Sequence, residues 1–83
     1  MKWYVYQVEI DDHTVNIYGM YDDEHGAKSH VMDIMNAYID DIESEFSWKV
    51  ESDMKNNRMK LFRGANIDDE HHSLLRYVGW VSH

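Results

Sequence analysis

The chain has 83 residues, of which 16 are Asp or Glu, 8 are Lys or Arg and none is Cys. This length predicts one small domain, residues 1–83, and the absence of cysteine excludes disulfide bonds and thiolate zinc sites. The formal net charge of −8 disfavours binding to phosphate backbones and to anionic membrane surfaces. A hydrophobic content of 43% is too high for a disordered acidic tail, so we expect a folded chain.

The sequence contains no candidate for a membrane span or a secretory signal. No apolar run approaches about 18 residues. The opening "MKWYVYQVEIDD" becomes acidic too early for the apolar core of a signal peptide. We therefore expect the protein in the cytoplasm.

Residues 2–21 predict a β-hairpin. The segments "KWYVYQVEI" and "TVNIYGMY" are rich in β-branched and aromatic residues, which favour strands. Asp11, Asp12 and His13 lie between them and supply the chemistry of a turn.

An amphipathic helix is predicted next. Apolar residues recur at steps of three and four, at Val31, Ile34, Met35, Tyr38, Ile39 and Ile42. Asp22 is the expected N-cap, with Asp23 and Glu24 at the positive end of the helix dipole.

The remaining residues predict a second hairpin and a terminal strand. "FSWKVES" alternates at Phe46, Trp48 and Val50, and "MKLFR" alternates at Met59 and Leu61, with Asn56-Asn57 as the turn between them. The segment "DDEHHSLLRY" could open a short helix capped by Asp68, whereas "LLRYVGWVS" has strand composition. We favour a loop or a helical turn followed by a strand at about 74–82.

These elements predict an α+β fold. Its antiparallel sheet has four to five strands in the order ββα-ββ-β, and one long amphipathic helix packs on one face. One helix cannot cover both faces of such a sheet. Aromatic residues near the start of the chain are therefore candidates for a partner-binding face, unless loops fold over them: Trp3, Tyr4, Tyr6 and Tyr18.

Nine carboxylates form a second candidate partner-binding surface: Asp22, Asp23, Glu24, Asp33, Asp40, Asp41, Asp68, Asp69 and Glu70. Acids spaced along a helix can imitate the phosphates of DNA. A protein built in this way can occupy the basic groove of a nucleic-acid-binding protein. Ordinary solvation of a helix face explains the same residues without any partner.

The near repeat "DDEH" at 22–25 and 68–71 suggests two halves of a metal site, but the spacing is unfavourable. His25 and His30 are five residues apart and fall on different sides of a helix, and the adjacent His71 and His72 diverge. A composite site would require the two segments to meet: Glu24, His25, Glu70 and His71. The sequence has no G-x-S-x-G elbow and no glycine-rich phosphate loop. We predict no metal, no cofactor, no catalytic residue and no enzyme, and a metal-dependent enzyme or a metal-stabilised domain is the second alternative.

One local feature favours nucleic-acid binding instead. Half of the basic residues fall within nine residues that contain no acid, beside Phe62: Lys55, Arg58, Lys60 and Arg63. A basic hairpin with an aromatic residue could grip a phosphate backbone. A solvated hairpin whose basic groups pair with neighbouring acids is the alternative.

In overall character the chain resembles the small acidic early proteins of bacteriophages and mobile elements that inhibit host enzymes or defence systems. The resemblance rests on length, acidity, missing cysteine, Tyr and Trp content, and the opening "MKWYVYQVEIDDHTVNIYGMYDDEHGAK". It implies a stoichiometric inhibitor, including anti-CRISPR and anti-restriction roles, and it carries over no binding residue.

The leading hypothesis is therefore a non-enzymatic inhibitor of a host protein that has a basic, nucleic-acid-binding surface. The aromatic residues would anchor the partner, and the carboxylates would steer it. We expect neither nucleic acid nor a membrane as a direct partner. A homodimer formed through the aromatic face is compatible with this hypothesis and with its alternatives.

Overall fold

The computed structural model describes residues 1–83. In chain order its elements are β1 (Trp3–Glu9), β2 (Val15–Tyr21), α1 (Glu24–Ile39), β3 (Trp48–Asp53), a 3₁₀ turn (Met54–Asn56), β4 (Arg58–Arg63) and β5 (Ser73–Ser82). The five strands form one antiparallel sheet in the spatial order β2-β1-β5-β4-β3. The helix packs across one face of this sheet. The predicted α+β fold is confirmed.

The hydrophobic core lies between α1 and the sheet. The helix contributes Ala27, Val31 and Met35, which lie four residues apart and therefore share one side of the helix. The strands contribute the other buried apolar residues: Val5, Met59, Leu61, Val78 and Trp80. Burying a large apolar side chain stabilises a fold by about 1.5–3 kcal/mol, so this single layer supplies most of the driving force for folding.

The turn between β1 and β2 is built by local hydrogen bonds. The carbonyl of Glu9 accepts the N–H of His13 at 3.1 Å, and the N–H of Glu9 donates to the carbonyl of Thr14 at 3.0 Å. His13 adopts φ 59°, the left-handed conformation that ends such a turn. The Asp12 carboxylate accepts the N–H of Thr14 at 3.0 Å, which holds the pKa of Asp12 below its usual value. The predicted turn residues therefore close the hairpin.

Both ends of α1 differ from the sequence prediction. The N-cap is Asp23, whose carboxylate accepts the N–H of Gly26 at 2.7 Å, so the expected cap at Asp22 was wrong by one residue. Asp22 instead forms an ion pair with Lys2. The helix ends at Ile39, and Ile42 lies beyond it with 93% of its surface exposed. The Asp41 carboxylate accepts the N–H of Glu43 at 3.1 Å, a local bond that replaces another helical turn.

The second hairpin and the terminal strand follow the prediction closely. Asn57 adopts φ 51° at the turn, as the Asn-Asn pair suggested. Strand β3 begins at Trp48, so Phe46 lies outside it, although the two rings pack edge to face with centroids 6.0 Å apart. Residues 64–72 form a loop before β5, and the alternative helix capped by Asp68 does not form. In this loop the Asp69 carboxylate accepts the N–H groups of Ala65 and His71.

No helix crosses a membrane in this fold. Helix α1 has only 16 residues and is neither long nor apolar enough to do so.

Candidate protein-binding face

The face of the sheet opposite α1 carries no covering element, and we call it the open face. Over β1 and β2 it is apolar. Cross-strand neighbours there are Tyr4 with Met20, Tyr6 with Ile17, and Val8 with Val15. Four aliphatic side chains lie about half exposed or more: Val15 at 59%, Ile17 at 60%, Met20 at 57% and Val81 at 49%. Contiguous apolar exposure of this kind is typical of contact surfaces.

A groove of about 590 Å³ runs along this apolar half. Tyr6, Val8, Ile17 and Val81 lie in its walls, and four polar residues also line it: Lys55, Asn56, Asn57 and Ser82. The groove is open to solvent, and it offers apolar walls rather than a closed pocket with convergent polar groups. Such a shape suits an apolar side chain of a protein partner better than a small polar substrate.

Gly79 determines where the ring of Tyr6 lies. The two residues are neighbours across β1 and β5, and a Cβ at Gly79 would collide with the Tyr6 ring and with the carbonyl oxygen of Asn57. The absence of a side chain therefore lets the Tyr6 ring pack flat over the strand. This partial burial raises the pKa of the Tyr6 hydroxyl.

The other half of the open face, over β3 and β4, is charged with both signs. Arg58 donates to the Asp53 carboxylate at 2.8 Å, and its guanidinium lies 4.0 Å from the centroid of the Tyr77 ring. Hydrogen bonds from Asn56 and Arg58 hold the pKa of Asp53 below its usual value. Lys60 stands opposite Glu51. The basic residues here are thus matched with acids and aromatic rings.

The structure does not gather the four basic residues of the second hairpin on one surface. Arg58 and Lys60 lie on the open face, whereas Arg63 is paired with Trp48 across the strands and lies with its guanidinium 4.6 Å from the centroid of the Phe46 ring. Lys55 lies in the 3₁₀ turn. Strand alternation separates Arg63 from Lys60, because successive odd and even positions point to opposite faces.

The predicted aromatic residues also divide between surfaces. Tyr4 and Tyr6 lie on the open face, while Trp3 packs against the core on the helix side. Tyr18 is the extra residue of a β-bulge between Ile17 and Gly19, and it is 49% exposed. The exposed aliphatic residues of β2 were missed as candidates, although their alternation in "TVNIYGMY" could have shown them.

Three loops meet at one end of the sheet. The N–H of Ile10 donates to the carbonyl of Leu75 at 3.1 Å, which places the β1–β2 turn beside the start of β5. The N–H of Gly64 donates to the carbonyl of Ser47 at 2.9 Å, and the Ser47 hydroxyl donates to the carbonyl of Asp69 at 3.1 Å. Loops 10–14, 40–47 and 64–72 therefore lie at the same end.

These three loops carry nine of the 16 acidic residues and no Lys or Arg. We call this region the acidic end: Asp11, Asp12, Asp40, Asp41, Glu43, Glu45, Asp68, Asp69 and Glu70. Helix α1 carries few acids itself, with Asp33 the only one between its first turn and its C-cap at Asp40. The negative charge thus lies in loops at one end of the molecule rather than in a row along the helix.

The two "DDEH" segments lie at opposite ends of the sheet. Glu24 accepts the indole N–H of Trp80 at 3.1 Å near the end of β5, whereas Asp69 lies just before its start. A strand of 10 residues is about 30 Å long. The composite site of Glu24, His25, Glu70 and His71 is therefore not assembled. No group of three or more His, Asp or Glu side chains is arranged to hold a metal ion.

A polar cluster on the helix side of the sheet joins α1 to β1 and β5. Arg76 lies 3.2 Å from the Glu9 carboxylate and donates to the Tyr38 hydroxyl at 2.7 Å, and Gln7 also donates to Glu9. These residues line neither the groove on the open face nor a smaller groove along α1 between His25 and Asp33. The Arg76 Nε atom is buried and meets Glu9 as an ion pair without a hydrogen bond, and the cluster joins the helix to the sheet.

Comparisons with known proteins add no functional assignment. No protein-family model, no curated protein and no solved structure matches the chain.

Proposed function

We propose that this chain is a non-enzymatic protein that acts by binding a partner protein through the apolar half of the open face. The observation that carries the proposal is the exposure of Val15, Ile17 and Val81 around one groove, with Met20 exposed on the same face. Contact between water and a contiguous apolar surface is unfavourable, and a bound protein partner would exclude water from this surface. The aromatic residues beside it, Tyr4 and Tyr6 among them, are typical anchors of such interfaces.

The charge of the molecule supports a partner with a basic surface. The nine carboxylates of the acidic end have no Lys or Arg among them, so they create a negative field at one end of the molecule. Such a field speeds the approach of a positively charged protein. With the resemblance to phage early proteins, this favours a stoichiometric inhibitor of a nucleic-acid-binding host protein in the host cytoplasm, such as an anti-CRISPR or anti-restriction protein.

Site-specific photo-crosslinking tests the surface. A photo-reactive amino acid replaces Ile17 on the open face, or Ala37 on the exposed side of α1 as the control. We expect a discrete adduct with one cellular protein from position 17 and none from position 37. Equal adducts from both positions, or none from position 17, would contradict the proposed face.

The captured protein is then purified and titrated. We expect the double variant Ile17→Ser, Val81→Ser to bind it on the order of tenfold or more weakly, because apolar anchors carry most of the energy of an interface. The Ala37→Ser variant should bind like the wild type. Inhibition should reach its end point at about one equivalent, and inhibition at far lower ratios would indicate an enzyme instead.

A further inference from the structure

The outer edge of β2 is a free strand edge of unusual composition. In the order β2-β1-β5-β4-β3, only β2 and β3 have one neighbour each. Strand β3 carries Lys49, Glu51 and Asp53, charges that discourage another strand from pairing. Strand β2 has seven residues, "VNIYGMY", with no charged side chain and no proline. Strand β3 is thus protected by its charges, whereas β2 is interrupted only by the β-bulge at Tyr18, which leaves Val15 to Ile17 in regular pairing.

The peptide groups along β2 are available for a new ladder. The N–H of Glu9 donates to the carbonyl of Thr14. Thr14 is therefore a hydrogen-bonded position of the ladder between β1 and β2. Hydrogen-bonded and non-hydrogen-bonded positions alternate along an antiparallel ladder, so the N–H and C=O groups of Asn16 point towards β1. The N–H and C=O groups of Val15 and Ile17 point outward, away from β1. The side chains of Val15 and Ile17 also lie on the open face. A strand added here would therefore gain main-chain hydrogen bonds and extend the apolar surface together.

The charges at the two ends of β2 indicate which strand would fit. Asp11 and Asp12 are exposed before it, and Asp22, Asp23 and Glu24 are exposed after it. Of these five carboxylates only Asp22 forms an ion pair, and its partner is Lys2. A second copy of this chain could pair its own β2 with this β2 in the antiparallel direction. The acids that follow β2 in one copy would then lie beside the acids that precede β2 in the other copy, and the two groups would repel each other. Basic residues at both ends of an incoming strand would instead be attracted.

We propose that β2 binds an extended segment of a partner protein by strand addition, the segment having about seven residues of apolar alternation with Lys or Arg at both ends. The length matches the seven residues of β2, in which Tyr18 is the bulge residue and Val15 and Ile17 offer the regular edge. Main-chain bonds supply affinity in this mode of recognition, and alternate side chains supply specificity. This inference rests on the proposed function and specifies the part of the partner that is bound.

A synthetic peptide tests it with purified components. The probe alternates Thr and Val over about seven residues and has two lysines at each end. We expect it to bind at low ionic strength, and to slow hydrogen exchange at the amides of Val15 and Ile17 but not at the amides of β3. The same peptide with glutamates at its ends should bind about tenfold or more weakly, because like charges meet at both ends of β2.

Two further controls separate strand addition from simple charge attraction. A peptide with the same lysines but a central proline cannot form the ladder and should not bind. The variant Ile17→Lys should lose binding, while Ser52→Lys, which adds the same charge to the other edge strand, should retain it. Equal binding of the proline peptide, or protection at β3 instead of β2, would overturn the inference.

Three other outcomes are distinguishable. A dimer of the free protein that Ile17→Lys abolishes in analytical ultracentrifugation would make a second copy the occupant of β2 and overturn the peptide assignment. Failure of the peptide together with a discrete adduct from position 17 would reject strand addition and leave the proposed function standing. Peptide binding without any cellular adduct would reject the proposed function and would support strand addition at β2.

Discussion

Single side chains determine the shape of the loops, and Asp69 does so in the loop before β5. One oxygen of its carboxylate accepts the N–H of Ala65 at 3.0 Å and the other accepts the N–H of His71 at 2.9 Å. These two bonds hold the pKa of Asp69 below its usual value of 3.8. Its backbone carbonyl also accepts the Ser47 hydroxyl, so the same residue joins two loops of the acidic end.

Asp69→Asn should therefore destabilise the fold in a pH-dependent way. Because the folded pKa is lowered, the ionised carboxylate stabilises the native state above about pH 4, and this contribution is lost as the pH falls through the folded pKa. Asn keeps one acceptor oxygen and loses the second. Urea midpoints measured from pH 7 to pH 2 should show a gap between wild type and variant that closes below pH 4. A gap of constant size would contradict the role of the charge.

At the scale of an element, α1 shows how one residue sets the start of a helix. Asp23 caps it, and Gly26 leaves room beside the cap for the ring of Tyr21 at the end of β2. A side chain at position 26 would meet that ring closely. The glycine that lowers helix propensity in the first turn thus allows the strand and the helix to join without a longer loop.

Asp23→Ala should lower the free energy of unfolding by about 1 kcal/mol, the usual effect of losing an N-cap. Asp22→Ala is the matched control, since it removes a neighbouring carboxylate that makes only an exposed ion pair with Lys2, and it should change stability little. Urea denaturation followed by circular dichroism measures both. A larger loss of stability from Asp22→Ala than from Asp23→Ala would show that Asp22 is the N-cap.

At the scale of the whole molecule, charge is distributed unevenly. Nine acids gather in the loops of the acidic end, and three of them follow the C-terminus of α1, where the helix dipole already disfavours negative charge: Asp40, Asp41 and Glu43. No basic residue in the last turn of the helix compensates them. This arrangement costs stability, and a functional need for negative charge at this end would explain its presence.

Glu43→Lys should consequently raise the urea midpoint of unfolding. Its side chain makes no ion pair or hydrogen bond, so the substitution relieves repulsion among the acids and adds a favourable charge near the helix C-terminus. The gain should be clear at low ionic strength and should shrink near molar salt, where such interactions are screened. A midpoint that falls, or a gain that salt does not reduce, would argue against crowded negative charge at the acidic end.

The local patterns of the sequence determined the elements of this protein. Alternation at Met59 and Leu61, the three- and four-residue steps from Val31 to Tyr38, and the turn residues at His13 and Asn57 all act between near neighbours. They therefore appear in the sequence and recur in the structure. The boundaries at Asp23 and Ile39 were harder to predict, because competing side-chain hydrogen bonds decided them within one turn.

Only the tertiary structure decided which surfaces these elements form. Pairing of β1 with β5 brings Tyr6 over Gly79, which is 73 residues away in sequence, and leaves β2 at an edge. The same topology gathers three acidic loops at one end and separates the two "DDEH" segments by the length of β5. Charge and spacing along a chain carry no information about which loops adjoin. That depends on strand order, which is set by pairing between strands that lie far apart in the sequence.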